Sequence, residues 1–171
     1  ADHIGGMAEV LAGLDGIRGS TDDIPISGHC WDRGESGKQT GEFASYATAT
    51  IHCQRTALPG DVINFGDGVT IEVMAVNGTS RWGILAELKA ADENDASMVL
   101  LIRFGNFRYL TTGDLPGGGG DPPFTTVDVE SPLAPLIGAV DILHLGHHGS
   151  KTASNLNFLQ TLSPEAIVIS V

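Results

Sequence analysis

The sequence predicts an α/β fold, a sandwich of mixed sheets and helices, because two β-hairpin patterns are followed by a strand–helix–strand unit. The first hairpin turns at Gly66-Asp67-Gly68 and the second at Gly105-Asn106, between segments of strand-like pattern; β-branched and aromatic residues flank the second turn. Hairpins followed by such a unit are typical of a mixed sandwich rather than of a doubly wound parallel sheet. The hairpin strands are predicted over residues 62–65, 69–73, 98–104 and 107–112.

The elements outside the hairpins follow from apolar spacing and from turn residues. Apolar residues recur at helical spacing from Ile4 to Leu14, which predicts a short amphipathic helix that ends near Gly13 to Gly16. Next come a strand running into a loop over 27–35, a turn-rich loop over 36–41 and a short helix over 42–48. Further along the chain, an irregular Gly/Pro loop is predicted over 116–123, and a second short helix, opened by Ser131-Pro132, over 129–139.

The strand–helix–strand unit occupies the end of the chain. Strands are predicted over 141–145 and 166–171, with a helix over 154–162 between them. Ser154 is a suitable N-cap for this helix because its side-chain oxygen can accept a backbone N–H of the first turn. Three leucines can face the sheet: Leu156, Leu159 and Leu162.

The length and composition indicate one globular domain over residues 1–171. Hydrophobic residues make up 42% of the chain and charged residues 18%, which suits a folded core rather than disorder. No apolar run reaches the thickness of a bilayer, so we expect no membrane span. The net charge of −12 repels nucleic acid at long range, so long nucleic acid is not the expected partner.

The two cysteines, Cys30 and Cys53, leave two alternatives open. Their spacing is not C-x-x-C, which excludes a zinc knuckle or a thioredoxin-like motif. They form a single disulfide if the protein is exported, or they are two buried thiols. Cellular location stays open, with a secreted protein slightly favoured.

Three short segments carry residues suited to metal chemistry. They are Ala1-Asp2-His3-Ile4-Gly5-Gly6, Thr112-Gly113-Asp114 and Gly146-His147-His148-Gly149-Ser150, and each lies at the end of a predicted strand or the start of a helix. Imidazole and carboxylate are natural ligands of zinc, manganese and iron. A water on such a metal becomes acidic enough to act as a nucleophile near neutral pH, and a neighbouring aspartate can orient it.

Each of these segments also has an ordinary structural explanation. Asp2 and His3 suit a helix start, where the helix dipole favours aspartate. Gly113-Asp114 suits a plain turn, and adjacent histidines are often surface residues or satisfied by hydrogen bonds. The occurrence of all three segments in this order is what favours a functional site.

These segments resemble three motifs of the metallo-β-lactamase superfamily. Residues 1–6 look like the second half of its H-x-H-x-D-H motif, and 110–114 look like the strand whose terminal aspartate bridges two metals. Residues 141–152 resemble the late histidine motif of the branch that includes the hydrolase domain of DNA-uptake competence proteins and related phosphodiesterase-like enzymes. The resemblance implies an αββα sandwich that is incomplete at both ends, since the upstream H-x-H and a final loop and helix are missing.

The resemblance also implies a role for each site residue. Asp2 and His3 would bind the second of two metals, Asp114 would bridge the metals, and His148 would complete the second metal's ligands. Asp2 would also be catalytic, and His147 would contact substrate, with a hydrogen-bonded structural role as its alternative. The implied cofactor is one or two zinc ions, with manganese as the alternative.

The function implied is a metal-dependent hydrolase that uses a metal-bound hydroxide, acting as a phosphodiesterase or a related esterase on a small-molecule ester or phosphoester. The preference for a phosphodiester comes from the resemblance. A lactamase or lactonase is the first alternative, since the same nucleophile attacks a carbonyl. The second alternative, from a different class, is a non-catalytic binding module of the same fold.

Overall fold

The structure, a computed structural model, describes residues 4–34, 41–87, 93–123 and 125–170. It divides the chain into two compact units, Ala1–Thr56 and Ala57–Val171. Helices occur together with parallel and antiparallel strands, so the fold is mixed α/β. The expectation of one domain over 1–171 stays a prediction. No helix in the described ranges has the length and apolar character that crossing a membrane requires.

The described residues of the first unit form two helices and a pair of parallel strands, and a disulfide links its two cysteines. Cys30 and Cys53 are bonded, with their Cα atoms 5.2 Å apart, so of the two alternatives for the cysteines the disulfide is the one observed. The predicted helix after Ile4, the strand within 27–35 and the helix at 42–48 are confirmed, although the second helix is longer than predicted; most of the 36–41 loop lies outside the described residues. The elements are α1 (Met7–Leu11), β1 (Cys30–Asp32), α2 (Gly41–Thr50) and β2 (Gln54–Thr56).

The second unit is built on an eight-stranded sheet. Both predicted hairpins are present, and each turns through left-handed backbone, at Asp67 and Gly68 in the first and at Gly105 in the second. The hairpin strands are β3 (Val62–Gly66), β4 (Val69–Val76), β7 (Val99–Phe104) and β8 (Phe107–Thr111). Two short strands, β5 (Thr79–Ser80) and β6 (Gly83–Ile84), extend the sheet beyond β4.

The other end of the sheet is parallel. The predicted terminal strands are confirmed as β11 (Ile142–His144) and β12 (Ala166–Val168), and β11 lies between β8 and β12, parallel to both. The strand order is therefore β12-β11-β8-β7-β4-β5-β6, with β3 paired to β4. A run of parallel strands at the end of an antiparallel sheet follows from the strand–helix–strand connection, because a helix can carry the chain back to the start of the next strand.

Two helices, α3 (Glu130–Ile137) and α4 (Leu156–Leu162), contribute to the core of this unit, and both were predicted with slightly different bounds. Two details of α4 were predicted wrongly. Asn155, not Ser154, is the N-cap, since its side chain accepts the Phe158 N–H at 2.9 Å. Leu156 is exposed, because Phe158 is the residue that lies on the buried face.

The Gly/Pro segment 116–123 was predicted to have no regular structure, which is wrong for part of it. Gly117–Gly119 forms β9, which pairs antiparallel with β10 (Thr126–Asp128). Gly118 and Gly119 have positive φ values, which are open to glycine without a steric cost, and the backbone of the segment can therefore still form a short ladder. The composition gives no sign of this pairing, because backbone groups and not side chains form it.

Candidate metal centre

The candidate centre lies where three parallel strands end at one edge of the sheet. His144 is in register with Thr111 of β8 and with Val168 of β12, so these strands end side by side. Asp114 follows β8, and His147 and His148 follow β11. Loops beyond the carboxyl ends of neighbouring parallel strands are the usual place for binding groups in α/β sheets.

The backbone of the first loop holds Asp114 in place. Gly113 has φ +56°, a left-handed conformation that favours glycine, and the chain turns sharply there. The Asp114 N–H then donates to Ser97 Oγ at 3.1 Å, and the Leu115 N–H donates to the Thr112 carbonyl at 3.2 Å. The aspartate side chain is mostly buried, so its position depends on these contacts rather than on solvent.

The second loop holds both histidines in left-handed backbone. His147 has φ 49° and His148 has φ 54°, within the loop Gly146–Gly149. A residue other than glycine in this left-handed conformation costs roughly 1–2 kcal/mol of conformational energy. Histidine is among the residues that adopt this region more often than most. Strained backbone of this kind is concentrated at functional sites. The loop is tied to the first one by the His147 N–H, which donates to the Gly113 carbonyl at 3.0 Å.

These loops bring His148 and Asp114 together. The distance from His148 Nε2 to Asp114 Oδ1 is 3.9 Å. On the other side of the ring, His148 Nδ1 lies 3.2 Å from the main-chain oxygen of Ser170. A carbonyl oxygen can only accept, so Nδ1 is the donor and carries a proton. In the neutral ring, Nε2 then holds the lone pair on the side of Asp114.

His144 supports this arrangement without belonging to it. The ring is partly buried and forms hydrogen bonds to Ser170 Oγ at 2.7 Å and to Thr111 Oγ1 at 3.4 Å. It therefore steadies the residue whose carbonyl oxygen orients His148.

The other predicted site residues have different outcomes. Asp2 and His3 lie outside the described residues, so their meeting with Asp114 stays a prediction. The His147 ring is near His148, with 6.4 Å between the ring centroids. In the described ranges, no cluster contains three or more potential metal ligands.

Sequence reasoning missed a buried carboxylate that binds the chain between the second loop and α4. Glu130 is fully buried, and its two oxygens accept the backbone N–H groups of Ser154 and Asn155. Burial raises its pKa to about 7, although the two N–H groups act in the opposite direction. Glutamate in the first turn of a helix normally indicates an exposed residue that favours the helix dipole, so the sequence carried no sign of this burial.

The chain is homologous to three bacterial proteins over about half of its length. It is 35% identical over 80 residues to ComE operon protein 3 of Bacillus subtilis, covering 47% of this chain and 9% of that protein. It is 32% identical over 78 residues to Recombination protein 2 of Haemophilus influenzae, covering 46% and 9%. It is 38% identical over 88 residues to Competence protein ComA of Neisseria gonorrhoeae, covering 50% and 11%.

These relatives are much longer than the similar region. The match spans only about a tenth of each of the three proteins. No protein-family profile matches the chain. The relationship therefore concerns one part of these three proteins.

Proposed function

We propose that this chain is a metal-dependent hydrolase of the metallo-β-lactamase fold that acts on a small phosphodiester or a related ester. The observation that carries the proposal is the approach of the Asp114 carboxylate to Nε2 of His148, at the edge where parallel strands end. Support for a phosphodiester rather than another ester comes from the resemblance of residues 141–152 to the competence-protein branch.

The chemistry of this pair suits a divalent metal. Two groups that both present lone pairs repel each other unless a cation or a proton lies between them. Imidazole nitrogen and carboxylate oxygen are both natural zinc ligands, and these two atoms lie 3.9 Å apart. The hydrogen bond from Nδ1 to a main-chain oxygen is also the usual second contact of a metal-binding histidine.

In this proposal, the residues of the chain hold and orient the reacting groups. Asp114 and His148 would bind zinc, or manganese in its place, and the resemblance implies that Asp2 and His3 would supply the remaining ligands. A bound ion would supply Lewis acidity and lower the pKa of a water. His147 contacts the substrate from beside His148.

The same pair has a second interpretation, a charged imidazolium next to a carboxylate with no metal. This would fit the non-catalytic binding module, in which the contact only orders two loops. A lactamase or lactonase needs the same metal and differs only in substrate. Metal binding therefore separates the binding module from the hydrolases, and a substrate panel separates the hydrolases from each other.

The experiment compares zinc and manganese binding by the whole chain and by Asp114→Ala and His148→Ala. We expect each substitution to weaken binding at least 100-fold, because each removes a ligand. Glu165→Ala is the control, because this exposed residue precedes β12 and so lies at the opposite end of the parallel strands from the pair; it should bind like the unchanged chain. Calorimetric titration measures the affinity.

Turnover is measured on phosphodiester, phosphomonoester, lactam and lactone substrates, with and without metal. The proposal expects metal-dependent hydrolysis of the phosphodiester that is lost in Asp114→Ala. Equal activity in Asp114→Ala and the unchanged chain would refute it, and so would zinc binding that is indifferent to both site substitutions.

A further inference from the structure

The residues that follow the two histidines are hydrogen-bonded to a buried carboxyl group. Glu130, the first residue of α3, has no exposed surface. Its Oε1 accepts the Ser154 N–H at 2.6 Å, and its Oε2 accepts the Asn155 N–H at 2.7 Å. The carboxylate thus binds the chain six and seven residues after His148.

The same carboxylate lies against β9. A Cβ atom added at Gly117 would stand only 2.2 Å from Glu130 Oε2, so glycine is required for the carboxylate to fit there. The Gly117 N–H donates to the Thr152 carbonyl at 2.8 Å, and the Asn155 side-chain amide donates to the Gly117 carbonyl at 3.0 Å. Glu130 therefore occupies the point where α3, β9 and the start of α4 meet.

We propose that Glu130 is a positioning residue, which holds segment 146–155 in the conformation that turns His148 toward Asp114. This inference deepens the proposed function and rests on it for the meaning of that geometry. The segment needs such a support because His147 and His148 are both in left-handed backbone, and strained backbone persists only where its surroundings determine it. Two charge-assisted hydrogen bonds to consecutive N–H groups are a strong constraint of this kind.

The charge state of Glu130 affects this constraint. The carboxylate can accept from both N–H groups, whereas the protonated acid would set an O–H against one of them. Among the described residues around it, Asp128 on β10 is the charged side chain that acts on the pKa of Glu130, and it raises that pKa together with burial. Ser154 and Asn155 act on it through their backbone N–H groups, and Gly117 carries no charge.

The test substitutes Glu130→Gln, which keeps the shape of the side chain and replaces one acceptor oxygen by a donor. The position of the His148 ring is followed by NMR in the metal-free chain, through its ring nitrogen signals and its contacts to Ser170. We expect Glu130→Gln to change these signals and to weaken zinc binding at least 10-fold. Glu165→Gln, at an exposed residue beyond α4, is the matched control and should change neither.

The two readouts separate this inference from the proposed function. A displaced His148 ring in metal-free Glu130→Gln supports the positioning role, whether or not zinc binds to the unchanged chain. If zinc does not bind to the unchanged chain, only the proposed function fails. Unchanged His148 signals in folded Glu130→Gln would overturn the positioning role. Should that variant not fold, Glu130→Asp, which keeps the charge on a shorter side chain, decides by the same signals.

Discussion

Replacement of Gly146 by alanine is expected to destabilise the second unit, because the two loops of the candidate centre touch at this glycine. A Cβ atom at this position would lie 2.8 Å from Thr112 Oγ1, 3.4 Å from the Gly113 carbonyl oxygen and 3.5 Å from that of Leu115. Contacts below 3.0 Å are essentially never seen for real Cβ atoms, so Thr112 has to move. Gly146 is not in left-handed backbone, so the cost is steric only.

The size of the effect follows from the burial of the surrounding atoms. Thr112 is fully buried, so its side chain has little room to yield, and inserting a carbon into a packed interior costs about 1–3 kcal/mol. For a domain of this size, 2 kcal/mol corresponds to a fall in Tm of roughly 4–8 °C. The control is Gly28→Ala, where an added Cβ meets no atom within 4 Å and the change should stay within about 0.5 kcal/mol.

Urea unfolding followed by circular dichroism measures these differences, and a double-mutant cycle tests their cause. Thr112 Oγ1 has no hydrogen-bond partner in the described part of the chain, so Thr112→Ala removes the obstruction without leaving a broken bond. We expect Gly146→Ala to cost at least about 1 kcal/mol less in the Thr112→Ala background. Strictly additive costs would show that the contact with Thr112 is not the reason for the glycine.

Two further predictions concern pH and the disulfide. Burial raises the folded-state pKa of Glu130 to about 7 against an ordinary 4.5, because the cost of burying the ionised carboxylate exceeds the gain from its two N–H hydrogen bonds. The free energy of unfolding should therefore fall by up to about 3 kcal/mol as the pH rises from 4.5 through 7. Glu130→Gln should flatten this pH dependence in urea unfolding, and an unchanged slope would contradict the shift. The Cys30–Cys53 bond links residues 23 positions apart, so replacing both cysteines by serine should lower the free energy of unfolding by about 3 kcal/mol. An unchanged free energy of unfolding in this variant, and in the unchanged chain after reduction, would contradict the prediction.

The elements that were predicted well are those whose signal is local. The turns at Gly66-Asp67-Gly68 and Gly105-Asn106 require left-handed backbone that glycine, asparagine and aspartate adopt at low cost, so the residues themselves identify the hairpins. The terminal strands and α4 follow in the same way from apolar spacing. Periodicity of this kind depends on neighbours a few positions apart and needs no knowledge of the fold.

The errors occurred where distant contacts decide the structure. The strand at Gly117–Gly119 exists because its backbone pairs with 126–128 and with Thr152, which no pattern within the segment reveals. Asn155 rather than Ser154 caps α4, and it also bonds Gly117, Asp128 and Ser131. Both residues suit a cap by type, so only their surroundings could choose between them.

The sequence by itself determined the mixed α/β class, the two hairpins and the residue types at the candidate centre. Each of these depends on the spacing of apolar residues or on the residue types within a short segment. Tertiary structure alone decided that Asp114 and His148 meet, because their approach depends on the register between β8 and β11, strands more than 30 residues apart. It also decided that Glu130 is buried where it accepts the Ser154 and Asn155 N–H groups, six and seven residues after His148. Burial and register arise from packing between distant segments, so the residues of one segment cannot predict them.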